Sequence, residues 1–505
     1  MKKQAFNPYL PSYEYIPDGE PHVFGNRVYI YGSHDAFNGA LFCVNDYICY
    51  SAPKDDLASW RYEGVIYKKT QDPHNKEGNM CLYAPDVAKG PDGRYYLYYS
   101  LDRRPTTGVA VASQPEGPYE YLGEVKGEDG HIIGLKNGDV MMFDPAVLVE
   151  GNKVSLFSGQ AFFKLSGFMK IAFNIYTFFV NKKNKTPHAR LKKDGSYLFS
   201  LKEDMLTLKG EPIKICGGED SCSEDFKGHA FFEGSSIRKF QDTYYFIYSS
   251  SRSHELCYGT SSKVEGPYHY QNTLVSNADL INSVAVADFL TKPGKLSKEA
   301  TNFYGNNHGS VEYINGKYYV FYHRHTNKSQ FSRQDCAEEI SMDEKGLFKP
   351  VIITSCGLNG GPLEGKGTYE ARIACNLNAK GGAVMCSSYV NKKFYKDYPY
   401  FTQDEKDGLE GQQYIANLEE GSWAGYKYFD FKKTSSLSIQ ARGTGQGKVE
   451  VFLDNFETKI GEVAVELSAS FTSYSSKMEF LDGVHTLYLR YEGTGHLDLM
   501  SFTLA

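Results

Sequence analysis

Several features are scarce in this chain of 505 residues. It has only 2 tryptophans, and its 10 cysteines are scattered without a Cys-x-x-Cys pair. That pattern argues against a disulfide framework or a thiolate zinc site and favours free buried thiols in a reducing compartment. Basic residues are not in excess, since 55 Lys and Arg against 61 Asp and Glu give a net charge of −6. Neither nucleic acid nor a membrane surface is therefore an expected partner, because both attract a basic patch.

Apolar runs are also scarce. Residues 1–4 lead into Asn7 without the apolar core of a signal peptide, so we expect a cytoplasmic protein. One stretch, residues 161–180, is apolar enough to compare with a membrane span, but Lys164 and Lys170 interrupt it. We interpret this stretch as an aromatic insertion.

Aromatic residues, by contrast, are abundant: 40 Tyr and 32 Phe bring their share to 15%. Many occur in short runs bounded by Gly, Asp and Asn, a composition typical of strands and turns. Five runs share one pattern, a turn followed by an aromatic strand and then polar residues, and they begin 59 to 90 residues apart. The five runs are residues 27–35, 94–102, 153–161, 243–251 and 317–325.

A long repeat of this kind predicts an all-β chain in which residues 1–355 form a five-bladed β-propeller, because radial repetition protects the edges of small antiparallel sheets. In a propeller the first strand of each blade lines the central axis. Here an ionisable residue stands 8 to 10 positions before each repeat strand. These residues, which we expect to surround one axial pocket, are Asp18, Asp86, Asp144, Glu233 and His308.

The residue types in this pocket indicate its chemistry. Any one of them alone would be interpreted as a turn residue. Several carboxylates buried together repel one another and raise a pKa, a cost that is typical of a functional site. Two Asp and one Glu without a nucleophilic Ser or Cys fit acid/base hydrolysis of a glycosidic bond. A protonated Glu would donate to the leaving oxygen, an ionised Asp would activate water, and a second Asp would raise the pKa of the Glu.

The motifs around these residues resemble glycoside hydrolase family 43 over about residues 8–355. They are DGEPHVFGN from Asp18, YAPDV at 83–87, FDPA at 143–146, EGS at 233–235 and NHGS at 307–310. The resemblance implies a five-bladed propeller and an inverting mechanism. It implies Asp18 as general base, Asp144 as modulator of the pKa of the acid and Glu233 as general acid. His308 is similar to a family histidine that holds a central water or cation, often calcium.

One departure from the family pattern concerns the base. The usual Asp-Pro is here Asp18-Gly19-Glu20-Pro21, and Glu20 lies on the same side of a strand as Asp18. Counting back from the aromatic strand favours Asp18, with Glu20 as the rival.

Further substrate contacts are predicted at the ends of strands that could reach the pocket. Asp35 and His325 lie at such ends, and Arg333 resembles a family arginine near the substrate. Asp86 and His308 complete the predicted substrate contacts, and His308 is also the candidate metal ligand. A surface or turn role for His325 is the alternative.

The remaining third, residues 356–505, follows a Gly- and Pro-rich segment and contains short strands of alternating polarity. These predict a β-sandwich that resembles a family 6 carbohydrate-binding module. Whether it binds sugar or supports the propeller is left open.

Taken together, the sequence predicts an inverting exo-glycoside hydrolase that releases arabinofuranose or xylose from plant oligosaccharides and needs no cofactor for its chemistry. An arabinofuranosidase or a β-xylosidase would fit the pocket equally well. The alternatives are a propeller that only binds sugar and a propeller that serves as an interaction scaffold. The oligomeric state is undetermined by the sequence.

Overall fold

A computed structural model of the chain describes residues 3–161, 190–252, 254–279, 300–383 and 397–505. These residues form strands and the turns that connect them, which confirms the all-β prediction. Helical structure in these ranges is limited to the 3-10 turns Lys69–Gln71, Glu224–Phe226, Gly357–Asn359 and Ala371–Ile373. None of the described helices has the length and apolar character to cross a membrane. Beyond Ala161, the predicted aromatic insertion of residues 161–180 lies outside the described residues.

In the described residues up to Ile340, the strands form five antiparallel sheets, each built from consecutive strands. The first sheet contains β1 (Glu20–Phe24), β2 (Arg27–Tyr31), β3 (Tyr47–Pro53) and β4 (Arg61–Tyr67). The second contains β5 (Asp86–Lys89), β6 (Tyr95–Ser100), β7 (Thr107–Ala112) and β8 (Glu120–Glu124). The third contains β9 (Ala146–Glu150), β10 (Lys153–Ala161), β11 (Asp194–Leu201) and β12 (Ile213–Gly217). The fourth contains β13 (Phe231–Phe240), β14 (Thr243–Ser250), β15 (Leu256–Ser261) and β16 (His269–Val275). The fifth contains β17 (Val311–Ile314), β18 (Lys317–Thr326) and β19 (Ser329–Ile340).

The five repeated aromatic runs are confirmed as strands, and each is the second strand of its sheet: β2, β6, β10, β14 and β18. Their large side chains are buried between neighbouring sheets. Each fully buried Tyr or Phe contributes roughly 1.5–3 kcal/mol relative to an exposed one. The aromatic side chains of these strands therefore mainly stabilise the packing of neighbouring sheets.

Neighbouring sheets share hydrophobic cores in a consistent order. The shared cores contain Tyr31 with Tyr99 (first and second sheets), Tyr98 with Leu156 (second and third), Phe157 with Phe246 (third and fourth), Tyr245 with Tyr322 (fourth and fifth), and Phe321 with Ile30 (fifth and first). The fifth sheet thus packs against the first. The first strands of the sheets also adjoin one another, since β1 contacts β5 and β17, and β9 contacts β5 and β13. This arrangement brings the predicted site residues toward one region.

The C-terminal part forms two further sheets that pack over one core. One contains β20 (Leu363–Glu364), β22 (Asn376–Asn378), β25 (Trp423–Phe431), β27 (Gln446–Leu453), β28 (Lys459–Glu466) and β30 (Gly483–Gly493). The other contains β21 (Gly367–Glu370), β23 (Tyr400–Gln403), β24 (Gln413–Leu418), β26 (Ser436–Thr444), β29 (Thr472–Lys477) and β31 (His496–Leu504). Phe429 and Phe502 face each other across this core, so the predicted sandwich is confirmed.

The segment before β1 joins the two parts of the molecule. The Asn7 backbone N–H donates to the carbonyl of Ser355 at 3.0 Å, and its side-chain amide donates to the carbonyl of Ala337 at 2.9 Å. The backbone N–H of Ala5 donates to the side chain of Asn359 at 3.2 Å. The N-terminal residues are therefore held between the fifth sheet and the start of the sandwich.

The sandwich also contacts the loop between β2 and β3. Asp407 accepts a hydrogen bond from the backbone N–H of Phe37 at 2.5 Å and another from the side chain of Asn45 at 3.5 Å. That loop carries Phe42, whose ring lies beside the Arg333 guanidinium. The sandwich thus supports a loop that borders the predicted site.

Candidate active site

Asp18 and Asp144 occupy equivalent positions, two residues before the first strands β1 and β9. Both adopt left-handed backbone conformations, with φ of 60° and 45°. Aspartate tolerates this region better than most residues, and non-glycine residues held there are often functional. After Asp18 the chain needs a glycine, because a Cβ on Gly19 would lie 2.0 Å from Oδ2 of the buried Asp335. This contact is a local reason for Gly at a position where the family pattern has Pro.

Glu233 lies inside β13, where irregular pairing with β14 accommodates an additional residue. The next residue, Gly234, adopts φ of 69° and donates its backbone N–H to Oδ2 of Asp144 at 3.2 Å. The same oxygen lies 4.0 Å from Nδ1 of His308. The structure therefore brings Asp144, Glu233 and His308 together, as the repeat predicts.

Asp18 is held as an ionised carboxylate. Its Oδ1 accepts a hydrogen bond from Nη1 of Arg333 at 2.9 Å and lies 3.3 Å from Nδ1 of His323. Burial disfavours the charged form, but the Arg333 charge and the His323 hydrogen bond outweigh it and hold the pKa of Asp18 well below its ordinary value. The group is thus ionised at neutral pH and has no proton to donate.

Arg333 is itself fixed by a second carboxylate. Its Nε and Nη2 donate to the two oxygens of Asp35 at 2.8 and 3.0 Å, a bidentate pair that sets the plane of the guanidinium. Asp35 also accepts from the backbone N–H of Cys43 at 2.9 Å and is fully buried. Asp35 thus orients Arg333 toward Asp18, and direct contact of Asp35 with a substrate stays a prediction.

Unlike Asp18, Glu233 is held in its protonated form. Burial raises its pKa to about 7, and the negative charge of Asp18 adds to the increase, while a hydrogen bond from Gln160 at 3.2 Å opposes it. Oε1 lies 3.8 Å from Nδ1 of His254. The Glu233 side chain is 22% exposed, compared with 7% for Asp18 and 6% for Asp144. Glu233 is therefore the carboxyl group that is most accessible from outside.

Asp144 and Glu233 form an interacting pair. Burial, the charge of Glu233 and the charge of Asp18 raise the pKa of Asp144 well above its ordinary value, against the hydrogen bond from Gly234. Two buried carboxyl groups this strongly coupled retain a proton near neutral pH. The pair can consequently supply a proton through its accessible member, Glu233.

Asp86 does not occupy the position expected from the repeat. It pairs with Tyr98 across β5 and β6, as Glu20 pairs with Tyr31 across β1 and β2, so it is equivalent to Glu20 rather than to Asp18. The reason is the hairpin: five residues, 90–94, connect β5 to β6, whereas two connect β1 to β2. The prediction that all five residues occupy equivalent positions in their sheets is therefore wrong for Asp86.

The Asp86 carboxylate links neighbouring sheets. It is fully buried, with Oδ1 2.6 Å from Nε2 of His22 and Oδ2 accepting from the backbone N–H of Val147 at 2.7 Å. Contact of Asp86 with a substrate stays a prediction.

Glu20, the rival base, lies in a different environment from Asp18. One of its oxygens accepts a hydrogen bond from Arg238 at 2.7 Å, and burial raises its pKa to about 7. The other oxygen, Oε1, has no hydrogen-bond partner among the described residues, and neither does Nε2 of His308, 4.0 Å away. Burial lowers the pKa of His308 to about 4, so this imidazole is neutral. Two buried, unpaired polar atoms facing each other fit a water molecule or a cation between them.

Comparison with known proteins decides the family. The model for glycosyl hydrolases family 43 matches residues 16–348, and the model for the carbohydrate binding module (family 6) matches residues 394–504. The chain belongs to glycosyl hydrolase family 43. A xylosidase/arabinosidase from Thermoclostridium stercorarium is 48% identical over 509 residues, which cover 100% of this chain and 99% of that protein.

More distant relatives agree with this assignment. A xylosidase/arabinosidase from Bacteroides ovatus is 28% identical over 290 residues, covering 53% of this chain and 80% of that protein. The crystal structure of a family 43 arabinoxylan arabinofuranohydrolase from Bacillus subtilis matches with a TM-score of 0.50 and 19% identity, covering 99% of this chain and 97% of that chain. At that identity the match shows likeness of fold.

A row of aromatic rings borders the candidate site. Phe331, Phe42, Tyr83 and Phe143 follow one another with ring centroids 4.7, 6.5 and 5.3 Å apart, and each is half-buried. The last of these, Phe143, directly precedes Asp144. Half-exposed rings beside polar groups suit the apolar C–H faces of a sugar.

His325 lies at the margin of the site. It is 3% exposed, its Nε2 is 2.6 Å from the amide oxygen of Asn306, and burial lowers its pKa well below the ordinary value. The alternative of a surface position for His325 is therefore wrong. A substrate contact by His325 stays a prediction.

Besides the aromatic rings, three polar site residues were not predicted: Gln160, His254 and His323. Gln160 and His323 lie in second strands of their sheets, and His254 lies in the turn after β14. The polar residues that end each aromatic run were the available signal, since His323 and Gln160 belong to them. His254 has no such signal because it reaches Glu233 from a connecting turn.

Proposed function

We propose that this chain is an exo-acting, inverting glycoside hydrolase that releases arabinofuranose or xylose from plant oligosaccharides derived from arabinoxylan or arabinan. The observation that carries the proposal is that two carboxyl groups in one recessed site have pKa values shifted in opposite directions. Asp18 is kept ionised by Arg333, while Glu233 keeps a proton up to about pH 7. A base and an acid in one site are what glycosidic hydrolysis with inversion requires.

The proposed reaction assigns one step to each carboxyl group. Asp18 accepts a proton from a water molecule, whose oxygen forms a bond to the anomeric carbon. As the bond from that carbon to the leaving oxygen breaks, Glu233 donates its proton to that oxygen. Asp144 and Glu233 retain a proton between them, so Asp144 helps to keep a proton available on Glu233, while the hydrogen bond from Gly234 fixes the position of the Asp144 carboxyl group. The sugar leaves with the opposite anomeric configuration because water attacks from the face opposite the leaving group.

Asp18 is the better candidate for the base than Glu20. Asp18 and Arg333 are among the charges that shift the pKa of Glu233, whereas the main charges acting on Glu20 are those of Arg238, Asp86 and His22. Glu20 is also 1% exposed and already accepts a hydrogen bond from Arg238.

Exo action is supported by the depth of the site, since Asp18, Asp144 and Glu233 expose only 7%, 6% and 22% of their side chains. A recess of this kind suits one terminal sugar, stacked on the aromatic wall of Phe331, Phe42, Tyr83 and Phe143. The name xylosidase/arabinosidase of the 48% identical relative supports both pentoses. Arabinofuranosidase activity is our first expectation and β-xylosidase activity the second.

The architecture expected from the sequence is part of the proposal. Five sheets packed in sequence, with the fifth against the first, support a five-bladed propeller over residues 1–355. Residues 356–505 would then be the second domain, similar to a family 6 carbohydrate-binding module. The proposed chemistry requires no cofactor. A calcium ion or water on the axis would be held by Glu20 and His308, where its positive charge or hydrogen bonds would satisfy their unpaired atoms.

Hydrolysis of p-nitrophenyl arabinofuranoside and p-nitrophenyl xyloside by the full chain tests the activity. Glu233→Gln and Asp18→Asn should each lose about 10²–10⁴-fold in kcat/KM, while Asp242→Asn, an exposed aspartate in the β13–β14 turn, should stay at the wild-type value. The Glu233→Gln loss should be greater on unactivated oligosaccharides, whose leaving groups need the proton. Equal losses on both substrate types would remove Glu233 from the role of acid.

Proton NMR of the first-formed sugar tests inversion. The β-anomer of arabinose from an α-arabinofuranoside is expected, and the α-anomer would contradict an inverting mechanism. Turnover of neither substrate by wild type at any pH would favour a propeller that binds sugar without cleaving it.

A further inference from the structure

A second group of reactive side chains lies in the fourth sheet, apart from the carboxyl groups of the active site. His229 precedes β13, Glu255 immediately precedes β15, and Cys257 is the second residue of β15. Glu255 and Cys257 are two residues apart, so both side chains point to the same side of the strand. His229 reaches them from a position 26 residues before Glu255.

The three candidate ligand atoms lie close enough together to contact one small metal ion. Nδ1 of His229 is 3.2 Å from Oε2 of Glu255 and 3.9 Å from Sγ of Cys257. All three atoms lie within 4.8 Å of one another. Zinc bonds of about 2.0–2.3 Å to N, O and S place tetrahedral ligand atoms about 3.3–3.6 Å apart. The two separations from His229 are within about 0.4 Å of these values, so small side-chain adjustments would place the three atoms at three corners of a tetrahedron.

Surrounding side chains hold these ligands in place. The His229 ring stacks on Tyr270 with centroids 4.7 Å apart, and its backbone carbonyl accepts a hydrogen bond from Tyr248 at 2.7 Å. Oγ1 of Thr273 lies 3.4 Å from the Glu255 carboxylate. Support of this kind orients ligands before the metal arrives and is typical of metal sites.

Burial leaves one direction open. Cys257 is fully buried and Glu255 is 3% exposed, whereas the side chain of His229 is 23% exposed. A cation can reach the ligands from the His229 side and keep a water molecule as its fourth ligand. The enclosed thiol is a poor nucleophile for outside molecules, because burial raises its pKa above the ordinary value.

We propose that His229, Glu255 and Cys257 form a binding site for a divalent cation of the zinc class. The donor set of one imidazole, one carboxylate and one thiolate suits Zn²⁺ and disfavours Ca²⁺ and Mg²⁺, which take oxygen ligands. When the cation binds, the Cys257 sulfur gives up its proton to solvent and the sulfur–metal bond forms. The site is independent of the proposed glycosidase activity, which uses none of these three residues.

Titration of the metal-free full chain with Co²⁺, followed by Zn²⁺, tests the proposal. Thiolate ligation should give a near-ultraviolet sulfur-to-cobalt charge-transfer band together with the visible bands of four-coordinate Co²⁺. Both should saturate at one equivalent and disappear when Zn²⁺ displaces Co²⁺. Surface histidines that bind metal would not produce the sulfur band.

Matched variants identify the ligands. Cys257→Ser should abolish the sulfur band, whereas Cys216→Ser, which replaces another buried free thiol, should keep it. His229→Gln changes a partly exposed side chain and should weaken Co²⁺ binding at least tenfold. Zn²⁺ should raise the Tm of wild type but not that of His229→Gln. Absence of the sulfur band in wild type, its persistence in Cys257→Ser, or an equal Tm rise in His229→Gln would each overturn the proposal.

Discussion

Replacing Glu233 with glutamine should make the folded protein more stable at alkaline pH, even though it removes the proposed acid. The amide keeps an oxygen that can accept the hydrogen bond from Gln160 and differs little in volume from the carboxyl group. What it removes is a charge that the buried site disfavours. The expected gain in stability therefore depends on pH in a way that packing changes do not.

The size of the effect follows from the raised pKa. The folded-state value is about 7 and the ordinary value is 4.5. Below about pH 4.5 the carboxyl group is protonated in both states and costs nothing. As the pH rises from about 4.5 to about 7, the folded protein loses stability relative to the unfolded chain, in total about 3 kcal/mol at about 1.4 kcal/mol for each unit of pKa, and the loss is complete above about pH 7. Removing Glu233 also lowers the raised pKa of Asp144, so the two effects add.

Urea unfolding at a series of pH values measures this difference. The chain has two tryptophans, Trp60 in the N-terminal part and Trp423 in the sandwich. In a Trp423→Phe background, Trp60 fluorescence reports on the sheets that carry the site. The free energy of unfolding of Glu233→Gln minus that of the parent should be near zero at pH 4 and reach at least about 3 kcal/mol at pH 8.

The control is Glu211→Gln, which replaces an exposed glutamate and should show no such pH dependence. A difference for Glu233→Gln that stays constant from pH 4 to pH 8, or that falls as the pH rises, would refute the reasoning that burial raises this pKa.

Three other predictions follow from contacts in and around the site. Arg333→Met should raise the pKa of Asp18, so the acid limb of the kcat/KM profile should move to higher pH by about 1–3 units; an unchanged limb would contradict the Arg333–Asp18 interaction. Asp407→Ala removes the hydrogen bond to Phe37 and should raise KM several-fold with little change in Tm, whereas a kcat-only effect would contradict a role at the pocket margin. Gly19→Ala should destabilise the chain by about 1–3 kcal/mol through its overlap with a buried side chain, and a Tm equal to that of wild type would contradict that contact.

The repeat explains why most of the site could be predicted from the sequence. Asp18, Asp144 and His308 each lie 9 residues before a repeat strand, and the three hairpins that follow have two-residue connections. Because these hairpin connections have the same length, residues at the same distance before the repeat strand occupy equivalent positions in their sheets. Period-two patterning was similarly sufficient for the sandwich strands, such as β27 and β31.

Counting residues back from the repeat strand fails where the hairpin connection has another length or the strand pairing is irregular. The longer β5–β6 connection moves Asp86 to the position equivalent to Glu20, and the irregular pairing of β13 explains why Glu233 lies 10 residues before its repeat strand. Neither change leaves a mark in the hydrophobic pattern, because turn length and bulges depend on backbone geometry.

Partners that are distant in sequence could not be predicted at all. Arg238 and Glu20 are 218 residues apart, and Gln160 and Glu233 are 73 apart. A single sequence carries no information on such pairs beyond the residue types. Their identification required the positions of the sheets relative to one another.

The N-terminal segment has a consequence for biosynthesis. Ala5 and Asn7 reach their hydrogen-bond partners only after the ribosome has delivered Asn359, although the first sheet emerges far sooner. Asp18 likewise waits for Arg333, 315 positions downstream. A nascent chain that stalls before the fifth sheet is made would therefore lack both the counter-ion of Asp18 and the strands that cover this carboxylate. Translation pauses in this region should leave the unfinished chain open to chaperones and proteases.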